Sequence, residues 1–350
     1  MKISVTRIAT AALALLLGMM SWATEVGGHV LQPAGRIGVG WTVGEGWMSF
    51  VAFSPDGKMV ASDGPASPED ISGNLTLWTF PEGQFVKELK ARPSALSADW
   101  KYYASDHDVR RMSDDVPISS TSRTGFATYA FSPDSRHVAI APPERSSTGE
   151  AIRIVELASG KVTDQFGFAH PFSIAFSPDG HTLATGYWDE VVLWNVVSHR
   201  RIATLRGFKR YVGSLSFSAD GKLLAGGTDL GTLQIWDVRR RTRLHVVDIG
   251  AGGDVSQPAF NRTGSLVAVG VYGTGEAWLV SVRSGKVLDH AKVSDLGCGG
   301  VAFSPDGRHL IAPSTGGLIT WPYDEGGTIR VFEVTDRGLR GYRHPRPHRP

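Results

Sequence analysis

The sequence predicts an all-β fold assembled from seven repeated units, and three observations carry that prediction. A short turn sequence recurs seven times along the 350 residues. Its copies fall at a nearly constant interval. Glycine (42) and proline (19) together stand well above their usual share of about 12%. That excess disfavours a helical chain, because Gly weakens a helix and Pro breaks one.

The turn reads FSPDG at residues 53–57, 176–180 and 303–307. Variants are FSPDS from Phe131, FSADG from Phe217, FNRTG from Phe260 and LSADW from Leu96. Counted from the second residue of each copy, the starts are 54, 97, 132, 177, 218, 261 and 304, with spacings of 43, 35, 45, 41, 43 and 43. A period of about 40–45 residues is that of a four-stranded propeller blade. The expected architecture is a seven-bladed β-propeller of four-stranded antiparallel blades.

Within each unit the order is constant. A short alternating stretch, as at Val51-Ala52-Phe53, leads into the turn. Pro presets the second position of a type I turn, Asp bonds back to the backbone, and Gly takes the left-handed position that follows. This is hairpin chemistry, so Asp56, Asp179 and Asp306 are read as structural. A second apolar run follows, as at residues 223–227, then a third ending in an aromatic, as at residues 232–238, then a fourth such as residues 201–205. Short runs of β-branched and aromatic residues between turn signals are strands.

Blade three is expected to use residues 128–131, 137–141 and 152–157. Blade six uses residues 266–270 and 277–282, and blade seven residues 301–303, 309–312 and 328–334. Blade two is the poorest: only residues 101–105 read as a good strand, and residues 106–125 are polar. Blade seven runs out of chain after its third strand. Residues 29–43 are therefore expected to supply the missing outer strand and close the ring, removing exposed edges.

On these motifs the sequence resembles the WD-repeat propeller family over residues 29–335, especially exported, bacterial-type members with repeated FSPDG turns, such as the propeller part of the Tol translocation protein. The family's polar network is mostly eroded here. Blade four comes nearest, with His170, Thr185, Asp189 and Trp194, although Asp189 sits one residue closer to the Trp than the family pattern. Blade five keeps Asp229, Trp236 and Asp237 without the His. Stability is therefore expected to rest on apolar packing between blades.

Residues 1–23 read as a secretory signal peptide: Lys2 and Arg7, then an uncharged Ala/Leu-rich stretch, then Ser21-Trp22-Ala23 for cleavage after Ala23. The apolar stretch, about 13 residues, is short for a membrane span. The alternative is an uncleaved anchor. The expected domains are the signal, a propeller over residues 24–336, and a disordered basic tail over residues 337–350 with five Arg, two His, three Pro and no acid. The expected location is the periplasm or outside the cell. The whole chain has a net charge of +2, but residues 24–336 hold 29 basic and 34 acidic groups, an acidic disc with a basic string attached. The string is read as an anchor to an anionic surface or as a solubilising end.

Chemistry is sparse. There is no G-x-S-x-G, no G-x-x-x-x-G-K-[ST] and no H-E-x-x-H. Cys298, the single cysteine, is read as a small buried thiol. No catalytic residue, cofactor or metal is expected. The second-to-third-strand loops are more informative. They are short in blades four to six but long at residues 62–73, 142–150 and 313–327, all on one face of the disc. Insertions on one face mark a binding face. The candidate partner-binding residues are Glu69, Asp70, Trp321, Tyr323, Asp324 and Glu325 in the long loops, Trp188 and Tyr272 in short ones, and Phe208, Arg210 and Tyr211 in the connection into blade five. Trp321 is the first choice.

The reading favoured is a monomeric, non-catalytic scaffold that binds a protein or cell-envelope component, with no nucleic acid and no integral membrane span after signal cleavage. One alternative is a lactonase-like propeller hydrolase with a site at the channel mouth. The small or apolar residues before the turns (Val51, Ala52, Ala130, Ile174, Ala175, Ala259, Val301, Ala302) disfavour it. A structural spacer without a ligand is the other.

Overall fold

The computed structural model describes residues 31–37, 50–63, 74–105, 107–120, 127–141, 152–167, 171–250, 253–294, 297–313 and 329–334. The strands form seven separate four-stranded antiparallel sheets, with no helix among the described residues. From the inner strand outward, blade one comprises Val51–Phe53, Met59–Asp63, Leu75–Thr79 and Phe85–Leu89. Blade two comprises Pro93–Leu96, Tyr102–Ser105, Asp108–Arg111 and Pro117–Ser120. Blade three follows with Thr128–Phe131, His137–Ala141, Ile152–Glu156 and Val162–Phe166. Blade four holds Ser173–Phe176, Thr182–Gly186, Glu190–Asn195 and Arg201–Arg206. Blade five holds Val212–Phe217, Leu223–Thr228, Thr232–Asp237 and Thr242–Asp248. Blade six holds Ala259–Phe260, Leu266–Val271, Glu276–Ser281 and Val287–Lys292. Blade seven takes Ala302–Phe303, His309–Pro313 and Ile329–Val334 from the C-terminal part of the chain and Leu31–Ile37 from the N-terminal part.

The closing strand is thus where the chain arithmetic placed it, with tighter bounds. Leu31 pairs with Val334 and Ile37 with Ile329, antiparallel, with one irregularity between Pro33 and Gly35.

The repeated turns explain themselves chemically. In blade four the Ser177 hydroxyl donates to Asp179 Oδ1 at 2.5 Å and accepts the Thr182 N–H at 2.9 Å, and Asp179 Oδ1 accepts the His181 N–H at 3.0 Å. Gly180 has φ +74°, the left-handed value that an L side chain resists. The variant copies put Trp100 and Ser135 in the same conformation, at φ 57° and 55°.

The core is one hydrophobic cluster per interface between successive blades. Between blades four and five, Val191, Leu193 and Leu205 meet Phe208, Val212, Leu215 and Trp236. Between seven and one, Ile311, Ile329 and Val331 meet Val51, Val60 and Trp78. Outside blade two, the middle strands are buried on both faces against neighbours and read as largely apolar runs.

Two details go beyond what the sequence pattern shows. Blade two is a full blade although its sequence is polar, because ionic and hydroxyl contacts replace apolar ones. Arg110 bonds Asp108 through Nε and the Asp115 carbonyl through Nη1, and the buried Tyr103 hydroxyl donates to Asp115. The tryptophan bond is present in blade four, which comes nearest the family pattern, and also in blade one. Trp194 Nε1 donates to Thr185 at 2.9 Å, and Trp78 Nε1 to Ser62 at 3.0 Å. Asp189 is exposed, and His170 lies outside the described residues.

Candidate functional site

The inner strands of all seven blades surround a central channel of about 1100 Å3. Its wall includes Val51, Ala52, Ala130, Ile174, Ala175 and Ala259, alternating with hydroxyls such as Ser173, Ser214 and Ser256. The prolines of the repeated turns (Pro55, Pro178, Pro305) line it toward one mouth. The opposite mouth, on the top face, carries Phe172, Tyr211, Asp229, Asp254 and Tyr272. Asp229 and Asp254 are the acids among the described lining residues. No three His, Cys, Asp or Glu come together to hold a metal among the described residues.

The backbone stitches the top face together. Connections between blades donate to the short second-to-third-strand loops: Val212 N to Tyr187 O at 2.8 Å, and Ile249 N to Gly231 O at 2.8 Å. Tyr272 N donates to Asp254 O at 3.0 Å. A Cβ on Gly253 would fall 1.6 Å from the Tyr272 carbonyl, so the connection into blade six crosses there only with glycine.

Three blades contribute to one cluster. Trp188, from the short loop of blade four, is 55% exposed. Its ring lies 6.2 Å from Tyr211 and 6.2 Å from Phe172, and those two rings are 5.0 Å apart. The Arg210 guanidinium sits 5.7 Å above the Trp188 ring. It reaches Asp229 Oδ2 with Nε at 3.0 Å and Nη2 at 2.9 Å. That bond pushes the Arg210 guanidinium further above its ordinary value. Tyr211 donates its hydroxyl to Asp254 Oδ2 at 3.3 Å. Burial, then the charges of Asp254 and Asp229, push the Tyr211 phenol up to about 12, so it remains a donor at neutral pH. The Asp229 side chain is 9% exposed, and its Oδ1 is buried without a hydrogen-bond partner.

Of the residues singled out from sequence, Trp188, Arg210 and Tyr211 come together. Tyr272 sits at the same mouth, half-buried, with its hydroxyl donating to the Gly299 carbonyl at 3.3 Å. Phe208 is a correction. It is 4% exposed, stacked on Trp236 at 6.0 Å, and belongs to the core between blades four and five rather than to the surface. Its neighbours in the chain, Lys209 and Arg210, are exposed, and the apolar ring turns inward between them and the sheet. Glu69, Asp70, Trp321, Tyr323, Asp324 and Glu325 lie outside the described residues. Phe172, Asp229 and Asp254 join the cluster without having been proposed as binding residues. The aromatic placed just before an inner strand, as at Tyr211, was the available signal for Phe172. Cys298 is fully buried, its Sγ 3.4 Å from the Gly300 carbonyl, and burial pushes its thiol up to about 12.

Fold and site together define a seven-bladed β-propeller whose described surface chemistry gathers at one mouth of its channel. The family described as "WD domain, G-beta repeat" matches residues 163–195 and 199–237. Each matched stretch runs from one blade's outer strand into the first three strands of the next. The chain is 28% identical over 177 residues to Small ribosomal subunit protein RACK1y of Oryza sativa subsp. japonica, covering 48% of each chain. It is 34% identical over 115 residues to the Periodic tryptophan protein 2 homolog of Schizosaccharomyces pombe, covering 32% of this chain and 13% of that one. It is 24% identical over 215 residues to Pre-mRNA-processing factor 19 homolog 2 of Arabidopsis thaliana, covering 57% and 40%. The match spans less than half the length of each of these curated relatives.

Proposed function

We propose that this chain is an exported, non-catalytic propeller that binds a protein or cell-envelope component through its top face, akin to the exported propellers with repeated FSPDG turns. One observation carries the reading: Trp188 is largely exposed yet held in place by two aromatic rings and the Arg210 guanidinium. Exposed aromatic surface is unfavourable in water, and a rigid Trp–Tyr–Arg group is the composition of interface hot spots. The name of RACK1y, a small ribosomal subunit protein, places that relative in an assembly, which supports the same reading. Export rests on residues 1–23, and the basic tail is assigned to an anionic surface.

The test is capture from envelope extract by the wild-type chain and by a Trp188→Ala, Tyr211→Ala variant of equal melting temperature. The variant should lose a defined subset of captured proteins. An identical set would overturn the assignment of the cluster, and an empty set for both chains would favour a spacer. N-terminal sequencing of the exported chain should begin at Thr24.

A further inference from the structure

We infer that the top mouth of the channel receives the cationic side chain, Arg or Lys, of a protein partner. The charged end would meet Asp229 and Asp254, and the stem would lie along Tyr211 and Phe172. The inference rests on the top-face reading above and specifies its partner.

The argument begins with an unmet acceptor. Asp229, a residue of the channel lining, places both Arg210 contacts on Oδ2, while Oδ1 is buried and unpartnered. A buried carboxylate oxygen without a donor is costly, and only an incoming N–H or O–H removes that cost. The second point is charge. Among the described residues, the mouth holds two carboxylates, and Arg210 pairs with one of them. Asp254 takes only the neutral hydroxyl of Tyr211 and is exposed. Lys209, exposed on the same connection, makes no ion pair with either. Among the described residues one negative charge is therefore left over.

The third point is shape. Tyr211 and Phe172 both line the channel, 5.0 Å apart with 35° between their planes. Aromatic faces attract cations and pack well against the methylene stems of Lys and Arg. Behind them the channel offers about 1100 Å3 between small and hydroxyl-bearing walls, room for a long side chain. An anionic group would meet two carboxylates, and an apolar one would leave Asp229 Oδ1 unmet. Trp188, outward along the same strip, would receive the residues flanking the cation.

The test presents the full chain with bead-bound short peptide libraries whose central residue is fixed as Arg, Lys, citrulline or Glu. Citrulline keeps the shape of Arg without its charge. The Arg and Lys libraries should retain the chain about tenfold better than the citrulline library, with less preference at high salt. Asp229→Asn should abolish most of that preference. Asp254→Asn, at an exposed position outside the core, should reduce it and covers the case in which the first variant folds poorly. Equal retention on citrulline, or a preference that survives in both variants, would overturn the inference. So would competition by spermidine without retention on the Arg and Lys libraries, which would assign the mouth to free polyamines. Trp188→Ala should weaken retention on all libraries alike. If it does so while no cationic preference exists, the top-face reading stands and only this inference fails.

Discussion

The serine of the repeated turn serves two neighbours at once. Ser177 is buried, donates to Asp179 and accepts the Thr182 N–H, so one hydroxyl locks both arms of the hairpin. The same hydroxyl contact is the chief cause that holds Asp56, Asp134, Asp179 and Asp306 below the usual carboxylate value. At Asp220 the side-chain bond from Lys222 comes first and Ser218 second, and the carboxyl falls from 3.8 to about 2. A carboxyl whose value is lower in the folded state adds stability above its unfolded value and loses it as pH falls through the folded one. The urea midpoint should therefore drop as pH falls from 3.8 to about 2, the interval set by Asp220. Ser177→Ala should cost about 1–3 kcal/mol at neutral pH, because the Thr182 N–H loses its side-chain acceptor, and should make the acid limb shallower. An acid limb identical to wild type would refute the turn account.

At the scale of elements, blade two shows how a blade forms without an apolar signature. Its third and fourth strands, Asp108–Arg111 and Pro117–Ser120, bury little hydrocarbon, and the burial that exists centres on Tyr103 and Val109. Arg110 ties its own strand to the turn that follows by holding Asp108 and the backbone carbonyl of Asp115. Asp108 chiefly raises the Arg110 guanidinium above its ordinary value, and burial raises the Tyr103 phenol. Arg110→Met should cost about 1–3 kcal/mol, less than for a fully buried pair because these groups keep partial exposure. The loss should appear first as faster amide exchange across residues 108–120. Uniform loss across all seven blades would refute a local role for Arg110. The turn at residues 96–100 marks this blade in the sequence, but its third and fourth strands carry no apolar alternation to mark them. The tryptophans make the same point. Trp78 and Trp194 keep a hydroxyl partner, while Trp236 and Trp278 leave Nε1 without one and stack instead, on Phe208 and His290.

Over the whole molecule, the ring is closed by an offset between repeat and blade. A sequence repeat runs from outer strand through three strands of the next blade, as residues 199–237 do. By the same offset, the outer strand of the first repeat falls in the blade of the last one. Leu31–Ile37 pairs there with Ile329–Val334. Deleting residues 24–44 should expose Ile329–Val334, the third strand of blade seven, as a free edge, lower the melting temperature sharply and promote aggregation. An unchanged melting temperature would refute closure by the chain ends. The clusters at the seven interfaces also make each blade depend on two neighbours, so the loss should be cooperative rather than confined to blade seven.

The number of blades, the turn geometry and the need for a closing strand were determined by sequence alone, because each follows from local chemistry repeated at a fixed interval. Trp188, Arg210 and Tyr211 were legible as candidates because aromatic and cationic residues in top-face loops stand out without a structure. Their convergence was decided by tertiary structure. Phe172, Trp188, Asp229 and Asp254 come from separate loops of three blades, and only the curvature of the ring brings them to one mouth. Phe208, two residues from Arg210 in the chain, turns into the core for the same reason. Which side chain faces water is set by the packing of blade against blade, and a linear pattern does not encode it.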